Sequence, residues 1–388
     1  MINRELETKL KYLATKFPVV SLTGPRQSGK TTLARNSFPN KQYVSLENLD
    51  TRSFAQQDPR GFLKYYPSAI IDEAQYAPDL FSYIQTVVDE QNTPGKYILI
   101  GSQNFLLFER ISQSLAGRVA VLKLLPFTCS EVANSKACEN LDYEYFLFNG
   151  FYPRLYDMSI HPSDFFPSYV QTYVERDVRL IRNIADISKF QLFLRLCAGR
   201  VGQLLNVSSL ANECGVSHTT ASNWLSVLEA SYIIFLLRPY HENFNKRLVK
   251  MPKLYFYDTG LVSYLLGIHS QEQLNTHYSK GSLFESFIIT EYIKKAFNSG
   301  KIPECFFWRD KNGNEIDLLI KDASRLIPIE VKSGRTINDG YFKGLKYWRK
   351  ISKSEELGIV LFGGDTGQLR ETIKVVSWRN MDSFFTSL

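Results

Sequence analysis

The chain has 388 residues, 44% of them hydrophobic and 22% charged, with a formal net charge of +7. That length exceeds one compact core and suits two or three domains, and the composition is that of a globular protein rather than a disordered one. No run approaches the ~18 apolar residues a membrane helix requires, and the charged segment Met1–Lys11 lacks the apolar core of a signal peptide.

The modest positive charge permits nucleic-acid binding without arguing for it. The five cysteines, at 129, 138, 197, 214 and 305, are odd in number and lack C-x-x-C spacing. Reduced thiols in a cytoplasmic protein are expected, with no zinc site.

Residues 3–17 predict a helix with Leu6, Leu10 and Leu13 on one face, closed before Pro18. Val19–Thr23 is an apolar strand. It runs into Gly24, Pro25, Arg26, Gln27, Ser28, Gly29, Lys30, Thr31 and Thr32, which is G-x-x-x-x-G-K-[ST] between a strand and a helix. The glycines let the backbone curl so that its N–H groups face one point, and a helix N-terminus adds a positive dipole there. This is the expected ATP loop, with Lys30 on the β- and γ-phosphates and the Thr31 hydroxyl on Mg²⁺. An ordinary Gly-containing loop is the plain alternative, and the full pattern with both flanks argues against it.

Gln42–Leu46 is a second strand, and Ala69-Ile70-Ile71-Asp72-Glu73-Ala74-Gln75 a third. Short apolar runs ending in carboxylates are the form of a buried parallel strand that delivers acid groups at its C-terminal end. Asp72 is expected to hold Mg²⁺ and Glu73 to polarise the attacking water. Pro78 opens a helix, and Tyr97–Gly101 is a further strand ending in Ser102, Gln103 and Asn104. Ser102 and Gln103 stand where a γ-phosphate sensor belongs, with Asn104 competing for the role, and a helix N-cap explains them equally well. Arg118, before the strand Val119–Leu124, answers phosphate charge in cis or across a subunit interface, or else is a surface residue at a helix end.

The GPRQSGKTTL loop, the IIDEAQ strand, the ILIGSQNFLL segment and LAGRVAVLKLLPFT together resemble the AAA+ ATPase domain of a prokaryotic family whose members end in a C-terminal domain of unknown function. The resemblance covers nearly the whole chain. It implies an α/β fold with a parallel sheet of strand order 5-1-4-3-2. Relatives with AAA+ domains often form rings, so a homo-oligomer is a further expectation of the resemblance.

Residues 139–200 read as helical, with Asp164 as a cap. Arg176, Arg179 and Arg182 make a basic stripe that either faces nucleotide or is a solvated helix face. Val207–Ser217 followed by Thr219–Ala230 has helix-turn-helix spacing, with His218, Asn223 and Trp224 on the second helix. The strands Tyr232–Leu237 and Lys253–Tyr257 enclose a loop whose cations are Arg238, Lys246, Arg247, Lys250 and Lys253 against the single acid Glu242. Together these predict a winged helix, either contacting DNA backbone through the wing or serving as an interdomain module. The polar stretch Ile268–Lys280 is the expected boundary before the last domain.

Gly281–Ile289 opens a helix carrying Glu285. Phe306–Arg309 and Glu315–Ile320 are strands, and Leu326–Lys332 closes a hairpin with Glu330 and Lys332 on one face. An acid on the helix, Asp317 on one strand and E-x-K on the next resemble the PD-(D/E)XK nuclease fold. That resemblance implies Mg²⁺ or Mn²⁺ on Glu285, Asp317 and Glu330, with Lys332 beside the scissile phosphate. A vestigial centre that binds without cutting competes evenly.

The sequence thus predicts an AAA+ ATPase domain over 1–135, a helical linker and winged helix over 136–270, and an α+β nuclease-like domain over 271–388. ATP and Mg²⁺ are the expected cofactors and DNA the expected partner. The alternative is an ATP-gated regulatory or protein-remodelling switch whose last domain is inactive.

Overall fold

The computed structural model describes residues 2–101, 114–135, 141–174, 186–241 and 249–388. Helix Leu6–Ala14 leads into a five-stranded, all-parallel sheet. Its strands are β1 (Val19–Thr23), β2 (Gln42–Ser45), β3 (Ala69–Asp72), β4 (Tyr97–Gly101) and β5 (Val119–Lys123), in the order β2-β3-β4-β1-β5. From the other edge this is the expected 5-1-4-3-2. Runs of Val, Ile and Leu suit strands covered on both faces, and the period of two divides them. Val19, Ile71 and Leu99 meet Phe62, Phe81 and Ile84 on one side. Val20, Ile70, Ile98 and Ile100 meet Leu6, Leu10 and Leu33 on the other. Because the strands are parallel, their C-terminal ends share one edge, and Gly24 and Glu73 both emerge there.

The described residues in the middle of the chain are mostly helical up to the pair Val207–Cys214 and His218–Ala230. Local chemistry makes this pair a helix-turn-helix. Asn206 accepts from Ser209 N to cap the first helix, Gly215 turns the chain at φ 62°, and Ser217 accepts from Thr220 N to cap the second. Asp164 is not a cap. His161 caps the helix Pro162–Tyr169, its Nδ1 accepting from Ser163 N, and Asp164 lies in the first turn. The antiparallel pair β6 (Ile234–Leu237) and β7 (Lys253–Phe256) follows.

The last third is built on β8 (Cys305–Arg309), β9 (Glu315–Asp322), β10 (Arg325–Lys332), β11 (Gly358–Phe362), β12 (Gln368–Arg370) and β13 (Ile373–Ser377). They form a six-stranded mixed sheet in the order β12-β13-β11-β10-β9-β8. Helix Lys280–Asn298 covers one face and helix Lys343–Ser352 the other. Between Phe306 and Trp308, β9 spends an extra residue, since Phe306 pairs with Leu319 and Trp308 with Ile316. A bulge of this kind re-aims the side chains it contains, and here they are Asp317 and Leu318.

One apolar cluster runs from Leu125 to Phe385, joining Leu228 of the helix-turn-helix to Phe287 and Ile289 of helix Lys280–Asn298. Ile268 and Leu274, inside the expected boundary stretch, are buried in it. The β6–β7 hairpin is also stitched to the sheet edge. Phe307 N donates to Arg238 O at 3.1 Å, Tyr240 N to Phe307 O at 2.7 Å, and Val249 N to Arg309 O at 3.1 Å. The described cysteines, Cys129, Cys197, Cys214 and Cys305, are free thiols. Among the described residues no helix is long and apolar enough to cross a membrane.

Candidate nucleotide site and carboxylate centre

The loop after β1 needs its glycine. Gly24 sits at φ 149°, and a Cβ there would lie 2.0 Å from Leu124 O on the neighbouring strand end. Gly29, at φ 88°, hands the chain into helix Lys30–Ser37, and Gln27 adopts φ 60° without being glycine. Strain of this kind collects at ligand clamps. Lys30 Nζ folds back over the loop, donating to Gly24 O at 3.0 Å and Pro25 O at 2.7 Å. The side-chain oxygens Gln27 Oε1 and Ser28 Oγ are buried there without a hydrogen-bond partner.

Thr31 and Asp72 come together as the motifs require. Thr31 Oγ1 donates to Asp72 Oδ2 at 2.7 Å, and Tyr43 OH donates to the same oxygen at 2.9 Å. A hydroxyl and a carboxylate at that distance, at the mouth of a phosphate loop, fit the donor set of a Mg²⁺ ion held with nucleotide phosphates. Glu73 stands next to them in a left-handed backbone conformation, φ 53°. Burial pushes its carboxyl above the ordinary range, opposed by Lys30 and Arg26. Gln75 Nε2 donates to Glu73 Oε2. Arg26 lies 4.0 Å from Glu47, and Thr32 lines a cleft with Ile2, Arg4, Gly29 and Phe127.

Two residues that sequence reasoning passed over hold this loop from outside. Arg4 donates to Ser28 O at 2.7 Å, to Leu125 O at 2.7 Å and to Glu131 Oε1 at 3.1 Å. Burial lowers its pKa, and Glu131 counters that. Tyr232, at φ 57° after the helix-turn-helix, places its hydroxyl 3.1 Å from Thr23 Oγ1.

Arg118 is not part of the site in cis. It immediately precedes β5, whose first residue pairs with Val19, so it lies at the edge of the sheet opposite the loop. The length of β1, about 16 Å at the usual rise, separates the two edges. Its guanidinium is bound to Asp89. Ser102, Gln103 and Asn104 lie outside the described residues, as do Arg176, Arg179 and Arg182.

The second set of residues is also brought together, but not as a metal site. Lys332 Nζ lies 2.6 Å from Glu330 Oε1 and 3.3 Å from Asp317 Oδ2, and Val331 N donates to Asp317 Oδ2 at 2.9 Å. Glu285 Oε1 is 2.9 Å from Lys253 Nζ and also accepts from Tyr255 OH. Lys253 is bound as well to Glu315, which meets Arg309 at 3.0 Å. Burial raises the Glu330 carboxyl to about 8, with Asp317 adding to the rise and Lys332 opposing it. Burial would lower the Lys253 ammonium, but Glu285 and the other acids hold it well above its ordinary value. Among the described residues no three or more His, Cys, Asp or Glu side chains are placed to hold a metal. The expected Mg²⁺ or Mn²⁺ on Glu285, Asp317 and Glu330 therefore does not fit, because an ammonium group takes one oxygen of each acid and leaves only Glu330 Oε2 buried without a partner.

Lys253 corrects the wing as well. It is 3% exposed and faces the last domain rather than solvent. Trp224 is likewise core, edge-on to Phe190 and Phe193. Arg238 and Lys250 are exposed, while Glu242, Lys246 and Arg247 lie outside the described residues.

The family model of an AAA domain matches residues 16–133, and two models of domains of unknown function, DUF8612 and DUF4143, match 140–272 and 280–381. Uncharacterized protein Rv2008c of Mycobacterium tuberculosis is 31% identical over 378 residues, 96% of this chain and 83% of its own length. Uncharacterized protein Mb2031c of Mycobacterium bovis matches with the same figures. Among solved structures, the Walker-type ATPase PABY2304 of Pyrococcus abyssi is similar at TM-score 0.45 and 14% identity, over 68% of this chain and 96% of that one.

Proposed function

We propose that this chain, which belongs to one family with the two mycobacterial proteins and has the fold of a P-loop AAA-type ATPase, binds Mg²⁺-ATP at the Gly24–Thr32 loop and hydrolyses it. The observation that carries the reading is the contact of Thr31 with Asp72 beside a folded-back Lys30. When nucleotide enters, Lys30 exchanges the Gly24 and Pro25 carbonyls for phosphate oxygens. Thr31 and Asp72 would hold a Mg²⁺ ion, which would neutralise the developing phosphate charge. Glu73 polarises the attacking water, positioned by Gln75. The cleft between Arg4, Thr32 and Phe127 takes the purine end.

Hydrolysis is read out by the rest of the chain. Arg4 ties Ser28 of the loop to Glu131, and Tyr232 ties Thr23 to the helix-turn-helix. The nucleotide state is thereby passed to the shared core. This favours an ATP-driven switch over a nuclease. The test is single-turnover hydrolysis. Glu73→Gln is expected to bind Mg²⁺-ATP and hydrolyse it about 100-fold or more slowly. Equal rates in variant and wild type refute the role of Glu73.

A second reading adds DNA as partner. Helix Lys343–Ser352 exposes Lys343, Lys346 and Lys350, followed by Lys353, with no carboxylate along it. That is a phosphate-contacting pattern. The last domain then holds DNA without cutting it. Salt-dependent binding of duplex DNA, weakened by reversing these lysines, is the supporting result.

A further inference from the structure

We infer that the carboxylate centre of the last sheet is occupied from within: the Lys253 ammonium stands where a divalent cation would sit, closing the centre to metal and latching the β6–β7 hairpin to the C-terminal sheet. The side chain of Lys253 is 4% exposed. It arrives from β7, part of the middle region, and is received by Glu285 of helix Lys280–Asn298 and Glu315 of β9. Tyr255, two residues on and on the same strand face, spends its hydroxyl on the Glu285 oxygen that Lys253 uses.

A magnesium or manganese ion needs several oxygens turned onto one point at about 2.1 Å. Here five of the oxygens are turned onto ammonium and guanidinium groups, while Glu330 Oε2 is buried without a hydrogen-bond partner. Glu285 takes Lys253, Asp317 and Glu330 take Lys332, and Glu315 takes Lys253 and Arg309. Four carboxylates thus meet three cationic side chains, and an added divalent ion would leave the buried centre net positive. The main-chain bonds that join Arg238 and Tyr240 to Phe307, and Val249 to Arg309, hold the hairpin, and hence Lys253, against the sheet edge. The centre is mechanical. It joins two regions by a desolvated ion network, which is costly to break from one side.

The test uses full-length protein without nucleotide. Mn²⁺ is titrated into wild type, Lys253→Met, and Lys253→Met combined with Asp317→Asn, following thermal unfolding. Wild type is expected to show no Mn²⁺-dependent shift. Lys253→Met, which frees Glu285 and Glu315 and leaves four carboxylates against two cations, is expected to gain about 3 °C at a hundredfold excess of Mn²⁺ over its Kd, and the double variant, with one acid fewer beside them, to lose that gain. Two results overturn the inference. One is stoichiometric Mn²⁺ binding by wild type that Asp317→Asn removes. The other is a folded Lys253→Met that gains nothing. If Lys253→Met folds only with Mn²⁺ present, the inference is supported. If it folds under neither condition, the wild-type titration decides, with stoichiometric binding that Asp317→Asn removes counting against and none of that kind counting for.

Discussion

Arg4→Met tests whether the phosphate loop is held from the N-terminal helix. The substitution keeps the apolar stem near Phe127, over whose ring the guanidinium lies at 4.8 Å. It removes the donors to Ser28 O and Leu125 O, both at 2.7 Å, and the ion pair to Glu131. Arg4 and Glu131 side chains are 7% and 1% exposed, so solvent screening is slight. Removing one partner of a buried pair costs about 3–5 kcal/mol. Glu131 keeps two main-chain donors, Glu5 N at 2.7 Å and Thr128 N at 2.9 Å, which argues for the lower end, about 3 kcal/mol. Over 388 residues that corresponds to a fall in Tm of about 4 °C. Calorimetry measures the fall, and nucleotide titration measures a loss of ATP affinity as the Ser28 carbonyl swings free. A Tm within about 1 °C of wild type, with unchanged ATP affinity, refutes the reasoning.

Gly24→Ala drives a Cβ to 2.0 Å from Leu124 O at a φ of 149°, so nucleotide binding is expected to be lost, and binding at wild-type affinity contradicts it. Glu330, facing Asp317, Lys332 and Glu285, has its carboxyl raised from 4.5 to about 8. The folded state therefore holds a proton that the unfolded chain releases earlier, and stability falls as pH rises through that window. Glu330→Gln is expected to gain on wild type as pH rises from 4.5 to about 8 and to gain nothing more above it, and an equal stability difference between the two proteins at pH 5 and pH 9 would argue otherwise. Charge reversal at Lys343, Lys346 and Lys350 is expected to weaken duplex DNA binding and lower its salt slope by about 3 or more. An unaltered slope removes that helix from the interface.

The nucleotide loop was legible because its chemistry is local. Gly24, Gly29, Lys30 and Thr31 are fixed by one turn between a strand and a helix, and Asp72 is delivered by the next motif. Arg118 was legible in principle, since a residue just before a parallel strand lies at the edge away from the phosphate loop. Arg4 was not, because its partner Glu131 is 127 positions away and the segment around it is simply charged. Lys253 was misread for the same reason. It follows a basic loop, and only the docking of β6 and β7 on β8 decides that its face of the strand points inward to Glu285 rather than out to phosphate. The helix Lys280–Asn298, β9 and β10 came where the hydrophobic pattern put them, yet the bulge at Asp317 and the opposing lysines, which decide what the centre binds, are products of packing between distant segments.

Isothermal titration of Mg²⁺-ATP into wild type and Lys30→Ala bears most directly on the nucleotide site. Saturable binding by wild type, abolished in a Lys30→Ala variant that keeps its circular dichroism spectrum, is the predicted result. No binding by wild type, or equal affinity in both proteins, contradicts it.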